Sequence, residues 1–256
     1  MKTLFAAVAL LALARPAAAA MDKDQQVALL KAVDTRQNEQ GDYRSQVYME
    51  QKQKDKVDTV YNAEIYRRGA DKKLIIMYTA PKTEAGKGYL RIEDNLWFYD
   101  PTVGKWERRT ERERIGGTNA RRSDFDDSRL AQEYDPEFVA DEKLGAYSVH
   151  HLKLTAKPDI DVAFSIIQLW IDAATNNILK RQEFALSGRL MRTSYYPKWQ
   201  KLYSESKKAD LWYPQEIRFY DEVEKANQTL ILIKSVDLRP LDQNLFTKSW
   251  LESKSR

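Results

Sequence analysis

The chain has 256 residues, with 42 basic and 38 acidic side chains, a net charge of +4 and no cysteine. The missing thiol excludes disulfides, cysteine catalysis and acylation of a lipoprotein cysteine, and the small net charge gives no electrostatic case for nucleic acid. Six Trp, 14 Tyr and 8 Phe favour strands and large apolar surfaces.

The N-terminus reads as a cleavable secretory signal. Lys2 precedes an unbroken apolar run from Leu4 to Ala14, Arg15 and Pro16 break it, and Ala17 to Ala20 supply the small residues that cleavage requires. The run is shorter than the roughly 20 apolar residues needed to cross a bilayer. Residues 1–20 are therefore expected to be a signal peptide cut after Ala20, and residues 21–256 a single exported domain. The alanine-rich leader and absent cysteines point to a Gram-negative periplasm.

A helix is predicted over residues 22–37, where Val27, Leu30 and Val33 recur at a spacing of three and Asp22 and Asp24 suit the start. The period then changes to two. In residues 43–53, Val47 and Met49 oppose Gln46, Tyr48 and Glu50; in residues 57–65, Val57, Thr59, Tyr61, Ala63 and Ile65 alternate with Asp58, Asn62 and Glu64. A turn at Gly69 and Asp71 leads to residues 74–78, apolar on both faces and ended by Pro81. Strands are predicted at 89–92, 96–99 and 105–109. A helix is predicted over 123–134, capped by Ser123, with Asp124, Asp126 and Asp127 in its first turn and Leu130 and Tyr134 four apart. Strands follow at 147–154, 164–171, 178–186, 189–196, 211–220 and 228–236, then a last short helix with Phe246 and Trp250 four apart. That makes about eleven or twelve strands joined by turn-forming pairs such as Asn176-Asn177 and Ser187-Gly188. No long helix separates them, so parallel crossovers are excluded and one mostly antiparallel sheet is expected.

The sequence offers little chemistry. The only histidines, His150 and His151, are adjacent on a predicted strand and point to opposite faces, so they cannot share a metal. No serine sits in a nucleophile elbow, and Gly116-Gly117 lacks the lysine and third glycine of a phosphate loop. Asp124, Asp126 and Asp127 fit a helix start better than a cation site, because the glycine and final glutamate of a calcium loop are missing. No catalytic residue, metal or cofactor is assigned. What remains is apolar strand surface. Residues 74–78 and 96–99 either pack on both sides or present one face to a cavity for an apolar ligand, and periodicity does not separate the two.

The ordered series Arg67-Arg68-Gly69-Ala70-Asp71-Lys72-Lys73-Leu74, Thr79-Ala80-Pro81, Lys87-Gly88-Tyr89-Leu90 and Asn95-Leu96-Trp97-Phe98-Tyr99-Asp100-Pro101 resembles the bacterial LolA-like outer-membrane lipoprotein-sorting family. Ser123-Asp124-Phe125-Asp126-Asp127, Leu169-Trp170-Ile171-Asp172, Ser187-Gly188-Arg189-Leu190 and Leu245-Phe246-Thr247 follow in the family's order. The resemblance implies a mainly β fold with short helices: a curved antiparallel sheet forming an incomplete half-barrel, with helices covering the concave face. It also implies a periplasmic carrier of lipid or lipoprotein acyl chains, in a longer subgroup associated with inner-membrane exporters of the RND or MMPL type.

The leading expectation is therefore a non-catalytic carrier. Ile75, Met77, Trp97 and Tyr99 are the candidate cavity lining, and Phe125 and Leu130 the candidate lid. The alternatives are a ligand-free interaction module, serving as an envelope sensor or exporter accessory subunit, and, less favoured by the missing nucleophile–base pairs, a hydrolase.

Overall fold

The computed structural model describes residues 21–69, 71–110 and 113–255. The signal peptide expected at residues 1–20 lies outside them.

Helix α1 (Lys23–Asn38) begins at a reciprocal cap: the Gln25 backbone N–H donates to the Asp22 carboxylate, and the Asp22 N–H donates to the Gln25 side-chain oxygen, each at 2.9 Å. Leu30 and Val33, three apart, are the apolar residues this helix buries. Six strands follow: β1 (Tyr43–Lys52), β2 (Thr59–Arg68), β3 (Lys73–Ala80), β4 (Gly88–Ile92), β5 (Asn95–Asp100) and β6 (Lys105–Arg109). A connection over residues 110–133 contains two short 3₁₀ turns and α2 (Leu130–Glu133). The second half runs β7 (Tyr134–Leu144), β8 (Tyr147–Ala156), β9 (Ile166–Asp172), β10 (Ile178–Phe184), β11 (Leu190–Ser204), β12 (Ala209–Asp221) and β13 (Gln228–Asp237), and α3 (Lys248–Lys254) closes the chain.

All strands lie in one antiparallel sheet ordered β6-β5-β4-β3-β2-β1-β13-β12-β11-β10-β9-β8-β7. The chain meanders outward from β1 to one edge, then crosses to the opposite edge and meanders back until β13 pairs with β1. The two edge strands, β6 and β7, are thus consecutive in sequence and do not pair with each other, so the sheet stays open as an incomplete barrel. The connection between them lies over one face, packing Ile115 and Ala120 against β1–β5 and Leu130 against α1 and β8–β9. It occupies the concave face together with α1.

Two sequence expectations differ from the structure. The helix expected over residues 123–134 is broken: residues Arg122–Phe125 form a 3₁₀ turn, a short extended stretch follows, and only Leu130–Glu133 is α-helical. Its last expected residue, Tyr134, starts β7, which the helical spacing concealed. This strand exposes Asp135, Glu137, Asp141 and Glu142 and holds Pro136 within it, which suits an edge strand. Secondly, α3 does not cover the concave face. It packs on the opposite side, where Phe246 and Leu251 bury against Tyr66, Ile75, Met77 and Leu90.

Candidate functional site

Residues opposite one another in an antiparallel pair share a face. Val47 pairs with Ala63 and Ile233, Ile65 with Ile76, Ile76 with Tyr89, and Ile217 with Ile231. These residues form one continuous inner layer across β4-β3-β2-β1-β13-β12. The layer is apolar because every second residue of these strands is apolar, and α1 covers only the far end of the sheet, at β8–β10. The uncovered stretch holds a cavity of about 1270 Å³, counting its open mouth, lined by Val47, Met49, Ile65, Ile76, Ile217 and Ile231 among others. Tyr43 and Tyr213, in edge-to-face contact with centroids 5.7 Å apart, also line it.

The segment Ser123–Asp127 governs this cavity. Phe125 lines it and packs against the inner layer. Each neighbouring aspartate grips an arginine from a different strand. Asp124 receives two hydrogen bonds from Arg192 of β11, at 2.7 and 2.6 Å, and one from the Arg121 backbone N–H at 2.7 Å. Asp126 pairs with Arg91 of β4, and Asp127 with Arg67 of β2. The arginines come from both halves of the sheet, so the segment is tied across the opening. This is the use of the three acids that a cation-site reading would have missed. No group of three or more potential metal ligands occurs among the described residues.

The Arg192 clasp is buried. Its guanidinium also donates to Glu183 at 2.5 and 3.0 Å and to the Asn119 carbonyl at 3.0 Å. Burial works against its charge, but Asp124 and Glu183 outweigh that and raise it above the ordinary arginine value. Burial alone would likewise raise the Asp124 carboxyl; the charge and hydrogen bonds of Arg192 win and hold it below the usual carboxylate range. Burial and the Asp124 charge push the neighbouring Tyr196 phenol up to about 12, so it stays neutral beside the cavity it lines.

The backbone leading into this segment also has a fixed role. Gly116 adopts φ +59°, its N–H donates to the Tyr89 hydroxyl at 3.0 Å, and a Cβ there would lie 2.0 Å from the Tyr78 hydroxyl oxygen. Only glycine allows both the left-handed turn and the close approach to the inner layer.

The structure separates the six residues singled out from the sequence. Phe125 lines the cavity. Leu130 packs instead with Leu30 and Val33 of α1 and with Leu152 and Leu154 of β8. Ile75, Met77, Trp97 and Tyr99 lie on the opposite face. Ile75 pairs with Tyr66 and Leu90, and Leu90 with Trp97, which places all four in one layer. There Ile75, Met77 and Tyr99 pack with the α3 cluster, and the Lys248 ammonium of α3 sits 5.2 Å from the Trp97 ring centre. The inward residues of the same strands are Leu74, Ile76 and Tyr78 of β3 and Leu96 and Phe98 of β5. The selection took the wrong alternate set for this cavity because β3 buries both faces, and nothing in its own sequence says which layer lies under a helix. Of Arg67, Arg91 and Arg192, which sequence reasoning passed over, only Arg91 carried a signal, as the one charged residue of an otherwise apolar strand; Arg67 and Arg192 have polar or charged neighbours in their own strands.

His150 and His151 behave as surface pairs. His150 Nδ1 lies 2.6 Å from Asp141, and His151 stacks on Trp170 at 4.1 Å between ring centres.

A family model described as "uncharacterized protein" matches residues 70–253. Among solved structures, a LolA superfamily protein from Nitrosomonas europaea superposes with a TM-score of 0.70 at 22% identity, over 88% of this chain and 98% of that one. A domain from Vibrio parahaemolyticus assigned as an outer-membrane lipoprotein-sorting protein gives 0.75 at 16% identity, over 90% and 100%. A DUF1329 family protein from Desulfovibrio piger gives 0.74 at 18% identity, over 90% and 98%. No curated protein matches the sequence. The half-barrel is thus the LolA fold, as the resemblance in sequence implied.

Proposed function

The chain belongs to the family of uncharacterized proteins matched over residues 70–253 and has the LolA-superfamily fold, and from that premise we propose that it is a non-catalytic carrier that encloses the acyl chain of a lipid or lipidated protein. The observation that carries this reading is the apolar cavity of the inner layer, left open between α1 and the tethered Phe125 segment. A cavity of that lining binds without chemistry. Each buried methylene contributes about 0.8 kcal/mol, while association costs at least about 4 kcal/mol, so a chain of roughly five methylenes only breaks even. Affinity is therefore expected to rise steeply with chain length. The signal-like leader supports a place of work between two membranes, and the longer exporter-associated subgroup supports delivery to or from an inner-membrane exporter of the RND or MMPL type.

The test is displacement of a fluorescent fatty acid from delipidated protein. Palmitate is expected to bind and octanoate to bind at least tenfold more weakly. Ile65→Glu, which puts a charge in the cavity wall, is expected to abolish binding while the far-UV spectrum stays that of a β protein. Equal binding by the Ile65→Glu variant, or no binding by the parent, would contradict the reading. Stoichiometric recovery of an exporter with an empty cavity would favour the interaction module instead.

A further inference from the structure

The cavity has two unlike ends. Tyr43 of β1, Tyr196 and Trp199 of β11 and Tyr213 of β12 line one; Met49, Ile115 and Ile231 line the other. Tyr43 and Met49 stand about 20 Å apart along β1, at a strand's rise of ~3.3 Å per residue. The aromatic end is continuous. The Tyr196 and Trp199 ring centres are 6.1 Å apart, Trp199 stands opposite Pro214, beside Tyr213, and Tyr213 meets Tyr43. In a regular strand, residues three apart point to opposite faces. The β11 ladder is irregular between Tyr195 and Trp199, and both Tyr196 and Trp199 border the cavity, while Trp199 also packs against the cluster of Val149, Trp170 and Leu179.

This end holds hydrogen-bond donors that the fold leaves unused. The Tyr213 hydroxyl donates to the Gln40 carbonyl at 2.9 Å. The buried Trp199 indole N–H has no such partner among the described residues, and neither have the Tyr43 and Tyr196 hydroxyls. An indole N–H only donates, and a buried donor left unpaired is costly, so whatever completes this end brings an acceptor. A neutral acceptor suits it better than a charged one. Burial raises both phenols, and the Asp124 charge raises Tyr196 further, against the weaker pull of Arg67 on Tyr43 and of Arg181 and Arg192 on Tyr196. Surroundings that resist a phenolate also resist a carboxylate.

We infer that the aromatic end takes the carbonyl oxygen of an ester- or amide-linked acyl chain, held by the Trp199 N–H and the Tyr196 hydroxyl, with the chain running towards Met49 and Ile231. The inference rests on the carrier reading and adds the group by which the chain is recognised. Displacement of a fluorescent fatty acid from the delipidated protein tests it with three probes: 1-monopalmitoylglycerol, its ether analogue 1-O-hexadecylglycerol, which has a methylene in place of the carbonyl, and N-palmitoylglycinamide. The ester and the amide are expected to bind about tenfold or more tightly than the ether, the effect of about one net hydrogen bond. The double variant Tyr196→Phe/Trp199→Phe keeps the rings and removes both donors. Its ester preference is expected to fall to about twofold or less with ether affinity retained, whereas a merely structural role would weaken both probes together. Should the double variant not fold, Trp199→Phe alone carries the test, with the preference reduced several-fold. An ester tighter than the amide assigns a glyceride-type source and the reverse an acylated amine, and both support the inference. Equal affinity for ester and ether in the parent, or an undiminished preference in the variants, would overturn it and leave the carrier reading standing. Failure of all three probes to bind would remove the carrier reading and this inference with it.

Discussion

The inner face has two regions built from the same kind of strand but finished differently. Under α1, the side chains of β8 to β10 are sealed: Leu30 and Val33 of the helix meet Leu152, Leu154, Ile167, Leu169 and Ile171, all without exposure to solvent. Across β1, β2, β12 and β13 the layer is equally apolar, yet no α-helix lies on it, and only the connection through Ile115 and Ala120 packs there. A cavity takes the helix's place, and the crossing segment holds Phe125 at its side through arginine clasps. One region spends its apolar surface on packing against a helix; the other, also buried, turns part of it towards a cavity. In a sheet this wide, one covering helix reaches only part of the width, and what α1 leaves uncovered lines the cavity.

The largest effect is expected at the joint between the two regions. Arg192→Met strands Asp124 and Glu183 without their cation and is expected to cost about 3–5 kcal/mol in denaturant unfolding at neutral pH. Its pH dependence has a definite sign. The folded Asp124 carboxyl lies below its unfolded value, so its stabilisation is complete above about pH 4 and is lost as the pH falls towards the folded value. The gap between the parent and Arg192→Met should therefore narrow on acidification; a gap that widens from pH 7 to pH 3 would refute the clasp.

Next in size is a pair of truncations that compares the regions directly. Leu169→Ala in the sealed region should cost about 2–5 kcal/mol, because the void it leaves has packed walls on all sides. Ile65→Ala should cost less than half of that in the ligand-free protein, since its side chain already borders open space. Urea midpoints decide between this and equal losses, which would erase the distinction. Gly116→Ala should destabilise by about 1–3 kcal/mol through its left-handed backbone and the clash with the Tyr78 hydroxyl. A neutral result there would show that the crossing segment is not pinned. The smallest change in binding is expected for Ile75→Val, which faces α3, against Ile76→Val, which lines the cavity. Fatty-acid titration should separate these adjacent residues, leaving affinity unchanged in the first and altered in the second.

Much of this architecture was legible in the sequence. Alternation such as Val47 and Met49 against Tyr48 and Glu50, with turn pairs between the runs, marked twelve of the thirteen strands. The resemblance supplied the open barrel. β7 was hidden because Leu130 and Tyr134 stand four apart like helix neighbours, although one belongs to α2 and the other to the next strand. The side of the sheet that carries the cavity was not legible. Ile75 and Ile76 are the same residue type in consecutive positions of a strand buried on both faces, and which layer meets α3 depends on where residues over 150 positions later dock. The three clasps were hidden for the same reason, since Asp124, Asp126 and Asp127 look like the start of a helix until Arg67, Arg91 and Arg192 arrive from distant strands.

The central claim is that the region left uncovered by α1 is the chamber for an acyl chain. Photo-cross-linking with a diazirine-bearing palmitate, read out by peptide mass spectrometry, tests it most directly. Adducts are expected on Val47, Met49, Ile65, Phe125 and Ile217, with none on Leu152, Leu169, Ile75 or Met77. Adducts concentrated beneath α3 or beneath α1, or spread over the exposed surface, would contradict the account.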